Sequence, residues 1–268
     1  VRVTGEDGHA ESFAFDDDVI ATCAAAADYE IMAASTASYT LRNGLMRYGN
    51  KAKKAILDEL QGILERNVWD PRHDRELTRD QKKHPLHCKW VITPKVTPEG
   101  VFEKVKARMV VLGNLQTDDE LLTKTRSPTP SLHTIFAQAA IAAATGRQVF
   151  TFDVGQAFLN AQLQTQGCDD IILQLSKQTA DVLLELDASY KEFLRKDGTM
   201  RVKLNKALYG LREAPKIWFD TIRAFFILHR FVQSTLDECL FFKRYKDGRS
   251  IDVLIHVDDG KGTTDTPE

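Results

Sequence analysis

The chain lacks long hydrophobic runs and paired cysteines, and each absence excludes a class of protein. Nowhere in its 268 residues does a run approach the roughly 18 to 20 apolar residues that a membrane helix requires. Its four cysteines are scattered without a C-x-x-C pair, so neither a disulfide framework nor a zinc ribbon is indicated. No basic and apolar secretory leader opens the chain. We therefore expect an intracellular protein without membrane contact.

His84, His87 and Cys88 cluster near one another in the sequence. These residue types bind zinc, but no second ligand pair stands at the spacing of a zinc site. We interpret the cluster as a surface loop beside Pro85, with a metal site as the alternative.

The overall charge of -2 hides an asymmetry along the chain. Residues 1–50 carry three arginines against eight acidic residues, and residues 51–110 carry fourteen lysines and arginines against nine. A basic segment in a nearly neutral chain can contact phosphates while the rest stays soluble. The alternative is an ordinary solvated face of mixed charge.

Composition and size indicate a globular chain with a sizeable core, formed as one large domain or two smaller ones. We interpret residues 1–50, which are acidic and alanine-rich, as a linker or the remnant of an upstream region. From residue 51 onward the pattern is mixed α and β. "KKAILDELQGILERNVW" predicts an amphipathic helix, because its apolar residues recur at helical spacing.

The middle of the chain predicts a hairpin, a helix and a strand in that order. "CKWVITPKVTPEGVFEKVKARMVVLGN" is typical of two strands joined by a Pro/Gly turn. Residues 131–146 predict a helix with a serine cap and a glycine stop. Because that helix is apolar throughout, we expect it to be buried. The strand "RQVFTFDV" follows and ends at Asp153.

The last third of the chain continues the mixed pattern. "DIILQL" predicts a strand, and "EAPKIWFDTIRAFFILHRF" predicts a helix with Pro215 in its first turn, where the missing N–H costs nothing. "ECLFFKRYKDGRSIDVLIHVDD" predicts two strands around a turn, the second ending at Asp258 and Asp259.

Three aspartates at strand ends form the strongest candidate site. Asp258 lies 105 residues after Asp153, and neighbouring strands of one sheet would bring these side chains and Asp259 together. Such a cluster repels itself unless cations neutralise it, and Mg²⁺ prefers carboxylate oxygens. The alternative is a plain turn, because Asp-Gly is a strong hairpin signal.

Several blocks of sequence, in the right order, resemble the reverse transcriptase of copia-type long-terminal-repeat retrotransposons. The resemblance runs from about Ile56 to Gly260. It includes a fingers hairpin with a Lys-Ala-Arg signature, "FDVGQAFLNAQL" as the first catalytic motif, and a closing "IHVDD". The block "LNKALYGLREAPKIWF" is nearly diagnostic of the family.

The resemblance implies an α+β fold with fingers and a partial palm, in which an antiparallel sheet packs on helices. Fingers would lie mainly in residues 51–130 and 164–205, and palm mainly in 131–163 and 206–268. The family's thumb and ribonuclease H lie further downstream, so we expect the 51–268 region to lack them.

The resemblance also implies a role for each matching residue. Asp153, Asp258 and Asp259 would be the catalytic carboxylates, and these three with the Val154 carbonyl would bind two Mg²⁺ ions, for which Mn²⁺ can substitute. The nucleotide-binding residues would be Arg108 at the triphosphate, Phe158 as the gate against a 2′-hydroxyl, and Tyr209 and Gly210 under the nucleotide. Lys106 would contact a second phosphate or the template backbone, and Lys95 and Lys104 are alternatives for the same contacts.

The implied reaction is attack of a primer 3′-hydroxyl on the α-phosphate of a deoxynucleoside triphosphate. Two ions about 4 Å apart would activate the hydroxyl and stabilise the leaving oxygen. Partners would be an RNA or DNA template with its primer and the remaining polyprotein segments, integrase and ribonuclease H. The setting would be a cytoplasmic virus-like particle with a nuclear phase.

Two departures from the family pattern bear on activity. His256 stands where the family has tyrosine, which places a titratable ring beside the aspartates. "GKGTTDTPE" replaces an apolar strand after Asp259, and this polar, glycine-rich stretch looks ill suited to a sheet. The alternatives to an active polymerase are a catalytically silent remnant, a nucleic-acid-binding module that uses residues 51–110, and a two-metal nuclease.

Overall fold

The computed structural model describes residues 2–4, 10–12, 38–116, 125–163 and 171–265. Helices and largely antiparallel sheets alternate, which confirms the predicted α+β class. The chain divides into a smaller unit of residues 1–56 and 90–107 and a larger unit of residues 57–89 and 108–268. The predicted division into a linker, fingers and palm stays a prediction.

Among the described residues of the smaller unit, a helix lies within the segment predicted as a linker. Strand β1 (Arg2–Thr4) pairs antiparallel with β2 (Ala10–Ser12), and helix α1 spans Leu41–Tyr48. Gly44 lets α1 lie against Ile92, because a Cβ at Gly44 would be 2.5 Å from Ile92 Cδ1.

The predicted amphipathic helix and hairpin are both confirmed. Helix α2 spans Asn50–Glu65, and strands β4 and β5 span Leu86–Val96 and Phe102–Val111. The apolar stripe of α2 is buried as its spacing predicts, at Ile56, Leu60 and Ile63. Cys88 lies in β4 and not in a surface loop, and burial raises the pKa of its thiol to about 12.

One five-stranded sheet contains β4, β5 and the strands β3 (Trp69–Arg72), β7 (Ile172–Leu175) and β8 (Met200–Leu204). Its strand order is β3-β8-β7-β4-β5. Its β7 pairs antiparallel with β8 and parallel with β4, through Leu86 opposite Leu173. The α-helices of this region include α3 (Arg79–Lys83) and α5 (Lys177–Leu186).

The second five-stranded sheet is built from β6 (Gln148–Asp153), β9 (Val232–Gln233), β10 (Leu240–Arg244), β11 (Ser250–His256) and β12 (Asp259–Thr264). Its strand order is β6-β12-β11-β10-β9, and every neighbouring pair is antiparallel. Four of its strands follow the predicted strands or their continuation, and the fifth is very short.

The expectation that residues after Asp259 are ill suited to a sheet is wrong. Residues 260–264 continue β12 from Asp259, and β12 lies between β6 and β11; residues 266–268 lie outside the described residues. Gly260 and Gly262 stand directly opposite Phe152 and Phe150, and a Cβ at either glycine would lie within about 2.1 Å of the facing ring. The aromatic rings of β6 therefore cover the glycine backbone and supply the apolar contact that β12 itself lacks.

Arg147 fastens the polar ends of these strands. Its side chain is only 9% exposed. Its Nη1 donates to Asp252 Oδ2 at 2.7 Å, and its Nη2 donates to the carbonyl oxygens of Ser250 at 3.0 Å and Thr263 at 3.3 Å. One guanidinium thus joins the residue before β6 to β11 and β12.

Helix α4 (Leu132–Thr145) has the predicted caps but not the predicted burial. Ser131 Oγ accepts from Thr134 N at 3.1 Å, and Gly146 ends the helix with a φ of 65°. Leu132 and Phe136 are 67% and 68% exposed to solvent in the described part of the chain. A helix that is apolar on every side gives no indication of which stripe packs, and here Ile135 contacts the core around Leu254.

Helix α6 (Ala214–Leu228) begins with Pro215 in its first turn, as predicted. Its Phe226 stacks on Phe241 of β10 with ring centroids 4.9 Å apart. The helices in the described ranges are all too short or too polar to cross a bilayer.

We predict that Gly262→Val destabilises the chain by about 1–3 kcal/mol, because the new side chain collides with the Phe150 ring. Adding Phe150→Ala should remove most of that cost. Urea unfolding of both single variants and the double variant measures the coupling. Stabilisation by Gly262→Val, as the β propensity of valine alone would give, would contradict the aromatic cover.

Candidate active site

Asp153 is the last residue of β6 and Asp259 is the first residue of β12, and the two are directly opposed in the register of these strands. The predicted strand before the paired aspartates ends earlier, at His256. Opposed residues of antiparallel strands have Cβ atoms roughly 4.5–5.5 Å apart and share one face of the sheet. Both residues are exposed and line the same cleft of about 580 Å³. The predicted approach of the first and last aspartates is therefore present in the backbone register.

Asp258 lies in the two-residue turn that joins β11 to β12. Its carbonyl oxygen accepts from Val154 N at 2.8 Å, so the turn is bonded to the residue that follows Asp153. Val257, the other turn residue, has a φ of 57°, which is strained for a β-branched side chain. The Trp218 indole donates to the Val257 carbonyl at 2.6 Å and holds the turn in place.

Trp218 thus has a role that its sequence position did not reveal. Its buried indole donates to a carbonyl 39 residues further along the chain. His256 is the cross-strand neighbour of Asp259, so the residue that replaces the family tyrosine lies beside the acidic pair.

Asp153 and Asp259 present carboxylate oxygens, the ligand type that a divalent cation binds, on directly opposed residues. Like charges directly opposed across two strands are unfavourable, and carboxylate oxygens are the ligands that Mg²⁺ prefers. Within the described ranges, no three Asp, Glu, His or Cys side chains converge closely enough to enclose an ion.

Tyr209 connects the proposed nucleotide-binding residues of the larger unit. Its carbonyl accepts from Val111 N at 2.7 Å. Its ring meets Phe158 edge-on with centroids 5.1 Å apart, and the Arg108 guanidinium lies 5.7 Å from its centroid. Gly210 has a φ of 90° and lies so close to β5 that a Cβ would be 2.1 Å from the Val111 carbonyl oxygen.

Charges around Tyr209 show that the same neighbourhood includes an aspartate of the turn. Burial raises the pKa of Tyr209, and the negative charges of Glu59 and Asp258 raise it further, whereas Arg108 lowers it. The Arg108 Nε is buried and has no hydrogen-bond partner among the described residues. A buried guanidinium N–H without a partner suits an anionic ligand.

Lys106 lies exposed on β5 in the smaller unit, and its phosphate contact stays a prediction. Val154 is half-buried and bonded to the Asp258 turn through its N–H. The metal role predicted for its carbonyl also stays a prediction.

A buried amide and carboxylate pair supports the Tyr209 segment, and sequence reasoning missed it. Gln116 Nε2 donates to both carboxylate oxygens of Glu213 at 3.0 Å, and Gln116 Oε1 accepts from Arg212 N at 3.1 Å. Gly113 makes the close approach possible, because a Cβ there would lie 2.1 Å from the Gly210 carbonyl oxygen. A Gln and a Glu 97 residues apart leave no local pattern that predicts their contact.

Comparison with known proteins points to one family. Residues 75–261 match the family model described as Reverse transcriptase (RNA-dependent DNA polymerase). The chain is 27% identical over 210 residues to the Retrovirus-related Pol polyprotein from transposon TNT 1-94 of Nicotiana tabacum, covering 78% of this chain and 14% of that protein. It is 31% identical over 211 residues to the polyprotein from transposon RE1 of Arabidopsis thaliana, covering 77% of this chain and 13% of that protein. For the polyprotein from transposon RE2 of Arabidopsis thaliana, the identity is 30% over 210 residues, with the same coverage of 77% and 13%. The chain thus spans a small part of these relatives.

We predict that Gln116→Ala destabilises the chain by about 2–3 kcal/mol, because it strips a hydrogen bond from the buried Glu213 carboxylate. Gln61→Ala is the matched control, since Gln61 makes an exposed bond to Glu65 at 2.9 Å. Urea unfolding should place that control within about 0.5 kcal/mol of the parent chain. Equal costs for the two variants would contradict the dependence of the buried Glu213 carboxylate on its Gln116 partner.

Proposed function

Because this chain belongs to the reverse transcriptase (RNA-dependent DNA polymerase) family, we propose that it carries the nucleotidyl transfer centre of a retrotransposon Pol polyprotein. The reaction would join a deoxynucleotide to a primer 3′-hydroxyl and release pyrophosphate. The observation that carries the proposal is the register of β6 and β12, which sets Asp153 opposite Asp259.

We assign Asp153, Asp258 and Asp259 to binding divalent metal, with the Val154 carbonyl as a further ligand. Bound Mg²⁺, or Mn²⁺ in its place, would supply charge stabilisation at the reacting phosphate and activate the primer hydroxyl. The protein contributes alignment: the Trp218 indole and the Val154 N–H fix the turn that carries Asp258. Orientation of this kind supplies much of the rate in a positioning-dominated reaction.

The nucleotide would lie over the group formed by Arg108, Phe158 and Tyr209. The Arg108 fork suits triphosphate oxygens, and its unpartnered buried Nε supports this assignment. The Phe158 ring, held edge-on by Tyr209, would exclude a ribose 2′-hydroxyl by steric contact. Gly210 would allow close approach of the backbone, and Lys106 would add a second phosphate contact.

The proposed partners are a primer paired to an RNA or DNA template, deoxynucleoside triphosphates, and other polyprotein segments such as integrase and ribonuclease H. Base pairing would read the template, so the protein needs backbone and shape contacts only. The proposed setting is an intracellular, virus-like particle with a nuclear phase.

We predict that Asp153→Asn and Asp258→Asn each lower primer extension at least ~100-fold, because each removes a charge that would hold the metal. The assay is incorporation of deoxynucleotides on a primed RNA template with Mg²⁺. Asp181→Asn, which changes an exposed acid on α5, should retain the parent activity.

Two outcomes would count against this function. Equal extension by the parent and the Asp258→Asn variant would sink the catalytic assignment. Salt-sensitive binding of primer and template without any extension would favour the alternative of a nucleic-acid-binding module.

We predict that Arg108→Lys raises the KM for deoxynucleoside triphosphates about tenfold, since a single ammonium cannot reproduce two-point contact with phosphate. Steady-state extension at varied nucleotide concentration measures the effect. Arg75→Lys, an exposed substitution, is the control. An unchanged KM in the Arg108 variant would remove Arg108 from the nucleotide site.

A further inference from the structure

Glu59 is a buried carboxylate that joins two of the segments bearing the proposed nucleotide-binding residues. It lies on α2 and is 8% exposed. Its Oε2 accepts from Gln156 Nε2 at 3.1 Å, and its Oε1 accepts from Met109 N at 3.4 Å. Met109 follows Arg108, and Gln156 precedes Phe158 by two residues.

Gln156 has an unusual backbone that needs such support. Its φ and ψ are 52° and 46°, in the left-handed region, where a residue other than glycine is strained by roughly 1 kcal/mol or more. Gly62 leaves room for its side chain, because a Cβ at Gly62 would lie 2.5 Å from Gln156 Oε1. Gly62 and Glu59 therefore confine the Gln156 amide from one helix.

The conformation of Gln156 sets the direction of Phe158. Gln156 caps the short 3-10 helix Ala157–Asn160, and its carbonyl accepts from Leu159 N at 3.0 Å. Leu159 is fully buried, so its side chain anchors the 3-10 helix in the core. Phe158 belongs to this helix, and its ring meets the Tyr209 ring edge-on with centroids 5.1 Å apart.

We propose that Glu59 is a positioning residue for sugar discrimination: by holding Gln156 in its left-handed conformation, it keeps the Phe158 ring where a ribose 2′-hydroxyl would collide with it. This inference rests on the proposed function, because it concerns the choice between deoxynucleotides and ribonucleotides. Glu59 acts through Gln156 and touches no substrate itself.

The test separates the position of the carboxyl group from its charge. Glu59→Asp keeps the charge but withdraws both acceptor oxygens by one methylene. Glu59→Gln removes the charge and one acceptor, but its remaining oxygen can still reach the Gln156 amide. The efficiency of ribonucleotide relative to deoxynucleotide incorporation should rise about tenfold in Glu59→Asp, because small misplacements carry large costs in positioned reactions. It should stay within about threefold of the parent in Glu59→Gln.

Two further variants serve as controls: one tests the effect of the same substitution at an exposed position, and the other tests whether Glu59 acts through Gln156. Glu65→Asp, on the exposed side of the same helix, should leave the incorporation ratio unchanged. Gln156→Leu, which removes the same hydrogen bond from the other side, should reproduce the rise and decides the matter where Glu59→Asp does not fold. A purely structural role would lower the rates with both sugars equally and leave the ratio unchanged, and that result overturns the proposal.

Hydrogen exchange of residues 154–161 supplies a readout that needs no catalysis. Exchange there should increase in Glu59→Asp and not in Glu65→Asp. A parent chain that incorporates neither sugar contradicts the proposed function, and the exchange result then judges Glu59 alone: faster exchange supports its hold on Gln156, and unchanged exchange overturns it.

Discussion

The pairing of β12 between β6 and β11 is the constraint on which the proposed centre depends. This register alone sets Asp259 opposite Asp153 and returns the Asp258 carbonyl to Val154. A slip of one residue would send each aspartate to the other face of the sheet. The register is fixed by facing pairs of glycine and phenylalanine on one side and by the Arg147 guanidinium at the far end.

Two unfavourable interactions lie at the end of this sheet, and contacts elsewhere in the larger unit offset them. Opposed carboxylates repel, and Val257 occupies a left-handed conformation that costs roughly 1–3 kcal/mol. The Trp218 hydrogen bond to Val257 and the buried cluster around Leu254 hold the turn against both. Strain that persists only because its surroundings fix it is common at functional sites, and here it coincides with the residues that the family resemblance singles out.

Local chemistry made much of the fold predictable. Some signals depend only on residues that are close together in the sequence, and these predicted helices and their ends correctly. They are the apolar spacing of α2, the Ser131 cap, the Gly146 stop and Pro215 in the first turn of α6. The position of Asp153 at a strand end was predictable from the alternating apolar residues before it, whereas Asp258 and Asp259 lie in the turn after β11 and at the start of β12. Strand β12 was not predictable, because its suitability depends on rings of β6 that lie over a hundred residues earlier. The exposure of α4 was missed because uniform apolarity does not tell which side packs.

The contacts hardest to predict are the buried polar ones, and they surround the proposed nucleotide residues. The Glu213 carboxylate is bonded to the Gln116 amide and the Glu59 carboxylate to the Gln156 amide, each across 97 residues. A buried carboxylate contributes little net stability, because its desolvation offsets what its hydrogen bonds gain. It does restrict its partners to one geometry, since any other arrangement leaves a buried charge without hydrogen bonds. Such pairs beside Tyr209 and Phe158 are what a centre that works by alignment requires: their contribution lies in fixing where the side chains point.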